Sequence, residues 1–223
     1  MPVPAIRTAG LTKDHGAGQG LFDLELQVSA GESFGLFGPE GSGKTTAIRL
    51  LMGMIRPTRG AAYVFGLDCV REAVEVKRRV GYVPGATAEF GDMRGGEIVT
   101  YLAGLRGGVH RDRVHELAER FGLDLRRAHR EYTHRDRQKL SIVLAFMHEP
   151  DLLILDEPAK DLDVQAAAQL DLLLDEARGG GSAILLASRL TSDLDRHCDR
   201  VVSLRGGKLA RELEEHSRKA LPP

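Results

Sequence analysis

The feature that most constrains this chain is Gly38-Pro39-Glu40-Gly41-Ser42-Gly43-Lys44-Thr45-Thr46. It fits the spacing GxxxxGK[ST] and stands between a short apolar run, 33–37, and residues spaced as a helix over 44–54. The chemistry requires that placement. Glycines let successive backbone amides turn inward around phosphate oxygens. The start of the following helix adds partial positive charge. Lys44 is placed to reach the β- and γ-phosphates as a point charge, and Thr45 to offer its hydroxyl to Mg²⁺. A Gly-rich structural turn is the bland alternative, and the strand–loop–helix context argues against it.

The second feature is Leu152-Leu153-Ile154-Leu155-Asp156-Glu157. Four apolar residues bounded by Pro150 and an acid read as a strand buried on both faces. Such a strand delivers its carboxylates to the C-terminal edge of a sheet, where open α/β sheets bind ligands. Asp156 is the candidate Mg²⁺ ligand, and Glu157 the candidate base for an attacking water.

Around these motifs the pattern alternates. Strands are expected at 22–28, 33–37, 61–65, 80–83, 152–155, 183–187 and 201–204, and helices at 44–54 and 164–178, with a basic helical segment before residue 80. Arg205-Gly206-Gly207-Lys208 reads as a hairpin turn. Residues 86–148 look mainly helical, with loops at 91–96 and 107–108, and are expected to form an inserted subdomain. A polar helix is expected over 212–219, and Met52 and Met54 are expected in the core. The alternation implies an α/β fold with a mostly parallel sheet and helices on both faces.

Composition removes several classes. Lys+Arg 31 against Asp+Glu 32 leaves a net charge of −1, so a wholesale polyanion binder is not indicated, and Arg126, Arg127 and Arg130 read as a solvated face. Cys69 and Cys198 stand alone, which excludes a disulfide framework and a zinc ribbon and suits a reducing compartment. No apolar run approaches the ~18 residues of a membrane span, so any membrane work falls to a partner.

With the motifs in place, a family resemblance covers nearly the whole chain. Leu11-Thr12-Lys13-Asp14-His15-Gly16, Gly31 through Pro39, Gly81-Tyr82-Val83-Pro84, Arg137-Gln138-Lys139-Leu140-Ser141, Leu155-Asp156-Glu157-Pro158 and Cys198-Asp199-Arg200-Val201 resemble segments of ABC transporter ATP-binding subunits, in the flavour of the drug and antibiotic exporters. The resemblance implies a P-loop NTPase fold: a mostly parallel sheet, an N-terminal antiparallel β subdomain and an inserted α-helical subdomain at 86–148, all within a single ATP-binding domain spanning 1–223. It implies ATP and Mg²⁺ as cofactors, with Glu157 and Lys44 catalytic and His15 against the adenine. It also implies a separate transmembrane permease subunit, a homodimer or a heterodimer with another ATP-binding subunit, no nucleic acid partner, and a cytoplasmic place at the inner face of the cell membrane.

Four positions depart from the family pattern. The LSGGQ-like signature is replaced by Tyr132-Thr133-His134-Arg135-Asp136, without glycines. Thr133 and Asp136 still have capping-box spacing. Either the phosphate contact across the dimer is lost, or Arg135 supplies a cationic contact in trans. Arg189 occupies the switch-histidine position, where an ion pair with Glu157 is one expectation. Gly85 stands in place of a Gln, and Asp161 in place of a Gly before Asp163. Weak or partner-dependent hydrolysis follows from this pattern, and the alternative is an ATP-binding regulatory subunit that does not hydrolyse.

Overall fold

The computed structural model describes residues 2–213. Two sheets and seven α-helices are built from them. The larger sheet contains β4 (Ser33–Phe37), β7 (Val80–Val83), β8 (Leu152–Asp156), β9 (Ala183–Ser188), β10 (Arg200–Arg205) and β11 (Lys208–Leu213) in the order β11-β10-β4-β9-β8-β7. All neighbours run parallel except β11, which returns antiparallel from β10 through the Gly206-Gly207 turn. The strands expected at 33–37, 80–83, 152–155, 183–187 and 201–204 are therefore present in this sheet, and β11 follows the expected hairpin turn. The expected polar helix does not begin at Glu212, which pairs with Val202 in β11; the rest of 212–219 lies outside the described residues.

The smaller sheet is antiparallel and N-terminal: β1 (Ile6–Gly16), β2 (Gln19–Leu24), β3 (Gln27–Val28), β5 (Arg59–Val64) and β6 (Leu67–Asp68). Sequence patterning gave no strand at β1, because its inward residues do not alternate cleanly and its ladder is bulged between Leu11 and Lys13. The single strand expected over 22–28 is two. Asp23 takes φ 49, which breaks the pleat, so Leu21 rather than Phe22 is buried while Leu24, Leu26 and Val28 keep their inward phase.

The central strands are apolar because both of their faces are covered. Leu152 to Leu155 are all fully buried, each such side chain contributing about 1.5–3 kcal/mol. One face meets helix α1 (Lys44–Leu51) and the smaller sheet, with Phe34, Leu36, Ile48, Leu51 and Ile154 in common. The opposite face meets α6 (Val164–Gly179) and the helical stretch, with Leu153, Leu155, Leu186, Leu140 and Val143 in common. That stretch consists of α3 (Gly95–Gly104), α4 (Arg111–Arg120) and α5 (His134–Phe146), so α3 takes up the end of the loop expected at 91–96. Helix α5 lies hard on β7: a Cβ at Gly81 would come 2.2 Å from the Ala145 carbonyl. Only glycine permits this approach.

Helix α1 stops at Leu51, short of the expected residue 54, because Gly53 turns to φ 60. Met52 is buried as expected, but Met54 is 47% exposed, since it lies beyond the helix. Helices α2 (Ala73–Arg79) and α7 (Thr191–His197) complete the set. The capping box at α5 forms: the Thr133 hydroxyl accepts from the Asp136 amide (3.2 Å), and the Asp136 carboxylate accepts from the Thr133 amide (3.0 Å). Cys69 and Cys198 are buried, with no disulfide between them. Among the described residues no helix is long and apolar enough to cross a membrane.

The end of α5 leads to His148, whose imidazole is pushed down to about 4 by burial and by the nearby Arg106 guanidinium. The unfolded chain protonates this ring near its ordinary 6.5, so stability is full above that value and is lost as the pH falls toward 4. Replacing His148 with Gln is expected to recover stability on the order of 2 kcal/mol near the acid end of this window. Thermal unfolding compared at neutral pH and in that window checks it; an unchanged acid loss in H148Q would count against it.

Candidate functional site

The parallel register brings several loops to one edge. Phe37 of β4 pairs with Ser188 of β9, and Asp156 of β8 pairs with Ala187 of β9. The segments that follow these strands, together with Pro84 and Gly85 after β7, surround a cavity of about 620 Å³. Its lining includes Glu40 through Thr46, Asp156, Glu157 and His15.

The loop after β4 turns tightly and runs into α1. Gly38 has no room for a side chain: a Cβ there would lie 2.5 Å from Ser42 Oγ and 2.6 Å from the Leu204 carbonyl. Gly38 and Pro39 do not line the cavity. They act from beneath it, their carbonyls accepting hydrogen bonds from the Lys44 ammonium. Gly43 caps α1 at φ 108, a left-handed conformation, and turns the chain into the helix. The helix therefore opens toward residues that line the cavity, with amides that have no acceptor inside the helix. Ser42 Oγ is buried with no hydrogen-bond partner, an orphan that an oxyanion would satisfy.

Lys44 is 5% exposed, and burial holds its ammonium below the usual lysine range, with Glu157 and Asp156 pulling the other way. Thr45 Oγ1 donates to Asp156 Oδ2 at 2.7 Å across 111 positions of sequence. Asp156 is buried, which raises its carboxyl above the ordinary value; the Thr45 hydrogen bond opposes this and Glu157 adds to it. A buried carboxylate beside a hydroxyl is a hard-oxygen donor set of the kind that Mg²⁺ takes, so the residues present fit that ion. Gly85 lies against this group, where a Cβ would come 3.0 Å from Asp156 Oδ2.

Glu157 takes φ 50, uncommon for a residue with a Cβ. Its amide donates to the Ala187 carbonyl at 2.9 Å, which anchors the turn. One carboxylate oxygen lies 4.0 Å from Lys44 Nζ, and the other accepts from Arg189 Nε at 2.9 Å. The ion pair expected between Arg189 and Glu157 is thus formed.

His15 lines the cavity with Gln19 and Gly20, at the side supplied by the smaller sheet. Arg49, Tyr82 and Lys160 also line it and were not singled out from sequence. For Arg49 a signal existed: it lies four residues after Thr45, on the same face of α1. Thr133, His134 and Arg135 are exposed and are not part of the lining. Asp161 takes φ 66, a conformation suited to glycine that Asp tolerates. Asp163 accepts from the Ala166 amide at 2.9 Å and caps α6.

Residues 21–160 match the family described as ABC transporter. The chain is 34% identical over 213 residues to the daunorubicin resistance ATP-binding protein DrrA3 of Streptomyces coeruleorubidus, covering 93% of this chain and 67% of that protein. It is 32% identical over 211 residues to the bacitracin transport ATP-binding protein BcrA of Enterococcus faecalis, covering 93% of this chain and 68% of that protein. A solved structure of the ATP binding subunit of an ABC transporter superposes with a TM-score of 0.86 at 27% identity, over 94% of this chain and 89% of that one. The chain spans about two thirds of the length of these curated relatives. The strand-edge cavity and these likenesses agree: the chain belongs to the ABC transporter family, as an ATP-binding domain of the P-loop NTPase fold.

Proposed function

We propose that the cavity binds Mg-ATP and that the chain is the ATP-binding subunit of an exporter, with slow or partner-dependent hydrolysis. The observation that carries this reading is the convergence of Lys44, Thr45, Asp156 and Glu157 on one cavity of nucleotide size. Residues 1–223 then act as one nucleotide-binding unit, with 86–148 as its helical insertion. Lys44 and the amides of the loop hold the phosphates. Thr45 and Asp156 would hold Mg²⁺, which when bound neutralises phosphate charge. His15 lies against the base. Glu157 accepts a proton from an attacking water once it is free to do so. Relatives named for daunorubicin resistance and bacitracin transport support the exporter assignment.

The altered segment at Tyr132–Asp136 favours slow turnover in a homodimer. His134 and Arg135 place exposed side chains where the family brings glycine amides to a partner's phosphate. A heterodimer with a glycine-containing partner would complete one of the two sites. The second reading, ATP binding without hydrolysis, is favoured by the Arg189 guanidinium already holding Glu157.

A groove of about 820 Å³ between α2, the segment after β7 and the helical stretch suits the membrane partner. Its apolar floor includes Met54, Val74 and Leu105, all exposed, and its rim carries Lys77, Arg78 and Arg106. Tyr82, Pro84 and Ala86 line both the groove and the cavity, so a segment seated in one presses on a wall of the other. The occupant proposed is an amphipathic cytoplasmic segment of the transmembrane subunit that bears acidic residues, which places the chain at the inner face of the membrane.

Three outcomes test these readings. K44A is expected to weaken Mg-ATP binding by about tenfold or more in calorimetry, the loss of a charge-assisted phosphate contact; equal affinity would remove the site. Steady-state phosphate release, measured with and without the membrane subunit, is expected to exceed that of E157Q. Turnover no faster than that variant assigns the chain to the non-hydrolysing reading. V74D with K77E is expected to abolish co-purification with the transmembrane subunit while Mg-ATP affinity stays unchanged; retained co-purification would move the docking site elsewhere.

A further inference from the structure

Arg189 follows β9 directly, between the loop that ends β4 and the turn that ends β8. Its Nε donates to Glu157 Oε2 at 2.9 Å, and its Nη1 lies 3.7 Å from Glu40 Oε2. Glu157 and Glu40 stand on separate loops of the phosphate cavity, and Arg189 lines it with them. The guanidinium therefore bridges the two loops. The base of this arm is fixed: Ser188 Oγ donates to Asp193 at 2.8 Å and accepts from the Leu190 amide at 3.0 Å. The arm itself is loose, with its side chain 44% exposed and Glu40 92% exposed.

We infer that Arg189 is a latch across the phosphate cavity, closed on Glu157 and Glu40 in the ligand-free chain and transferred to the terminal phosphate when a nucleoside triphosphate enters. The inference rests on the triphosphate reading of the cavity. Contacts open to water hold a guanidinium weakly, and of the two carboxylates Glu40 is open to water while Glu157 is only partly so. A terminal phosphate brings more charge and a geometry that matches the guanidinium fork, so it displaces them. While the latch is closed, one oxygen of Glu157 is committed to an N–H donor and is not open to an attacking water. Transfer of Arg189 to phosphate frees that oxygen at the moment its target is present. Because arginine keeps its charge throughout the physiological range, the latch responds to phosphate and not to pH. It is a positioning residue that acts through Glu157, and it also reads the length of the phosphate chain.

The test uses the full chain with magnesium present and follows the arginine Nε–Hε resonances. The resonance absent from R189K identifies the latch. In the ligand-free protein E157Q is expected to move this resonance to a solvent-like position. In the wild type a non-hydrolysable ATP analogue is expected to move it, and ADP is expected to leave it in place. By calorimetry R189Q is expected to lower the preference for the triphosphate over ADP about tenfold, with ADP affinity held within about twofold. A resonance indifferent to E157Q, equal responses to the two nucleotides, or an unchanged preference in R189Q overturns the latch while the nucleotide site stands. A wild type that binds neither nucleotide overturns both.

Discussion

The parallel pairing of β4, β9 and β8 is the constraint on which the site depends. With Phe37 opposite Ser188, and Ala187 opposite Asp156, three strands end at one level. The segments leaving these strands are then forced into the same space: a glycine-rich turn and Lys44, an arginine on a fixed base, and two adjacent acids. A slip of one residue in this register would turn Asp156 to the other face of the sheet and separate it from Thr45. Burial on both faces holds the register, because these strands are apolar between their ends and have no solvent face to offer.

Within that frame the cavity carries its own charges in balance. Lys44 is held by the carbonyls of Gly38 and Pro39 and lies near Glu157; Arg189 is held by Glu157 and Glu40. Each of these cations is therefore already partnered within the cavity. The pair Thr45 and Asp156 is different in kind. Its hydrogen bond is already formed at 2.7 Å, with the carboxylate buried and Thr45 at the exposed side. One half of the site is preorganised and the other half is exchangeable.

The residues that depart from the family pattern are divided. Arg189 and Gly85 line the cavity, Gly85 against Asp156; Arg135 and Asp161 are outside its lining. Thr133 and Asp136 preserve a helix start although the glycines beside them are gone, so α5 keeps its place against β7. The phosphate loop keeps the family pattern in this chain, while two of the altered positions, 135 and 189, carry arginine.

How much of this was legible in the sequence depends on the range of the forces involved. The phosphate loop, the acidic strand end and the buried strands are local: glycine placement, apolar runs and capping residues are set by neighbours in sequence, and they appeared where their patterns put them. Strand β1 was hidden because bulges break its period, and the 22–28 run was misjudged because a single left-handed residue, Asp23, resets the pleat. The sequence by itself determined that Lys44 and Thr45 open a helix after a glycine-rich turn and that Asp156 and Glu157 end a buried strand. Only the tertiary structure decided that Arg189 also reaches Glu40 and that the Ser42 hydroxyl is left without a hydrogen-bond partner. It also decided that Arg49, Tyr82 and Lys160 share the cavity. Those relations join residues from separate strands, and the order of strands in a sheet is set by the packing of the whole chain, which no local pattern encodes.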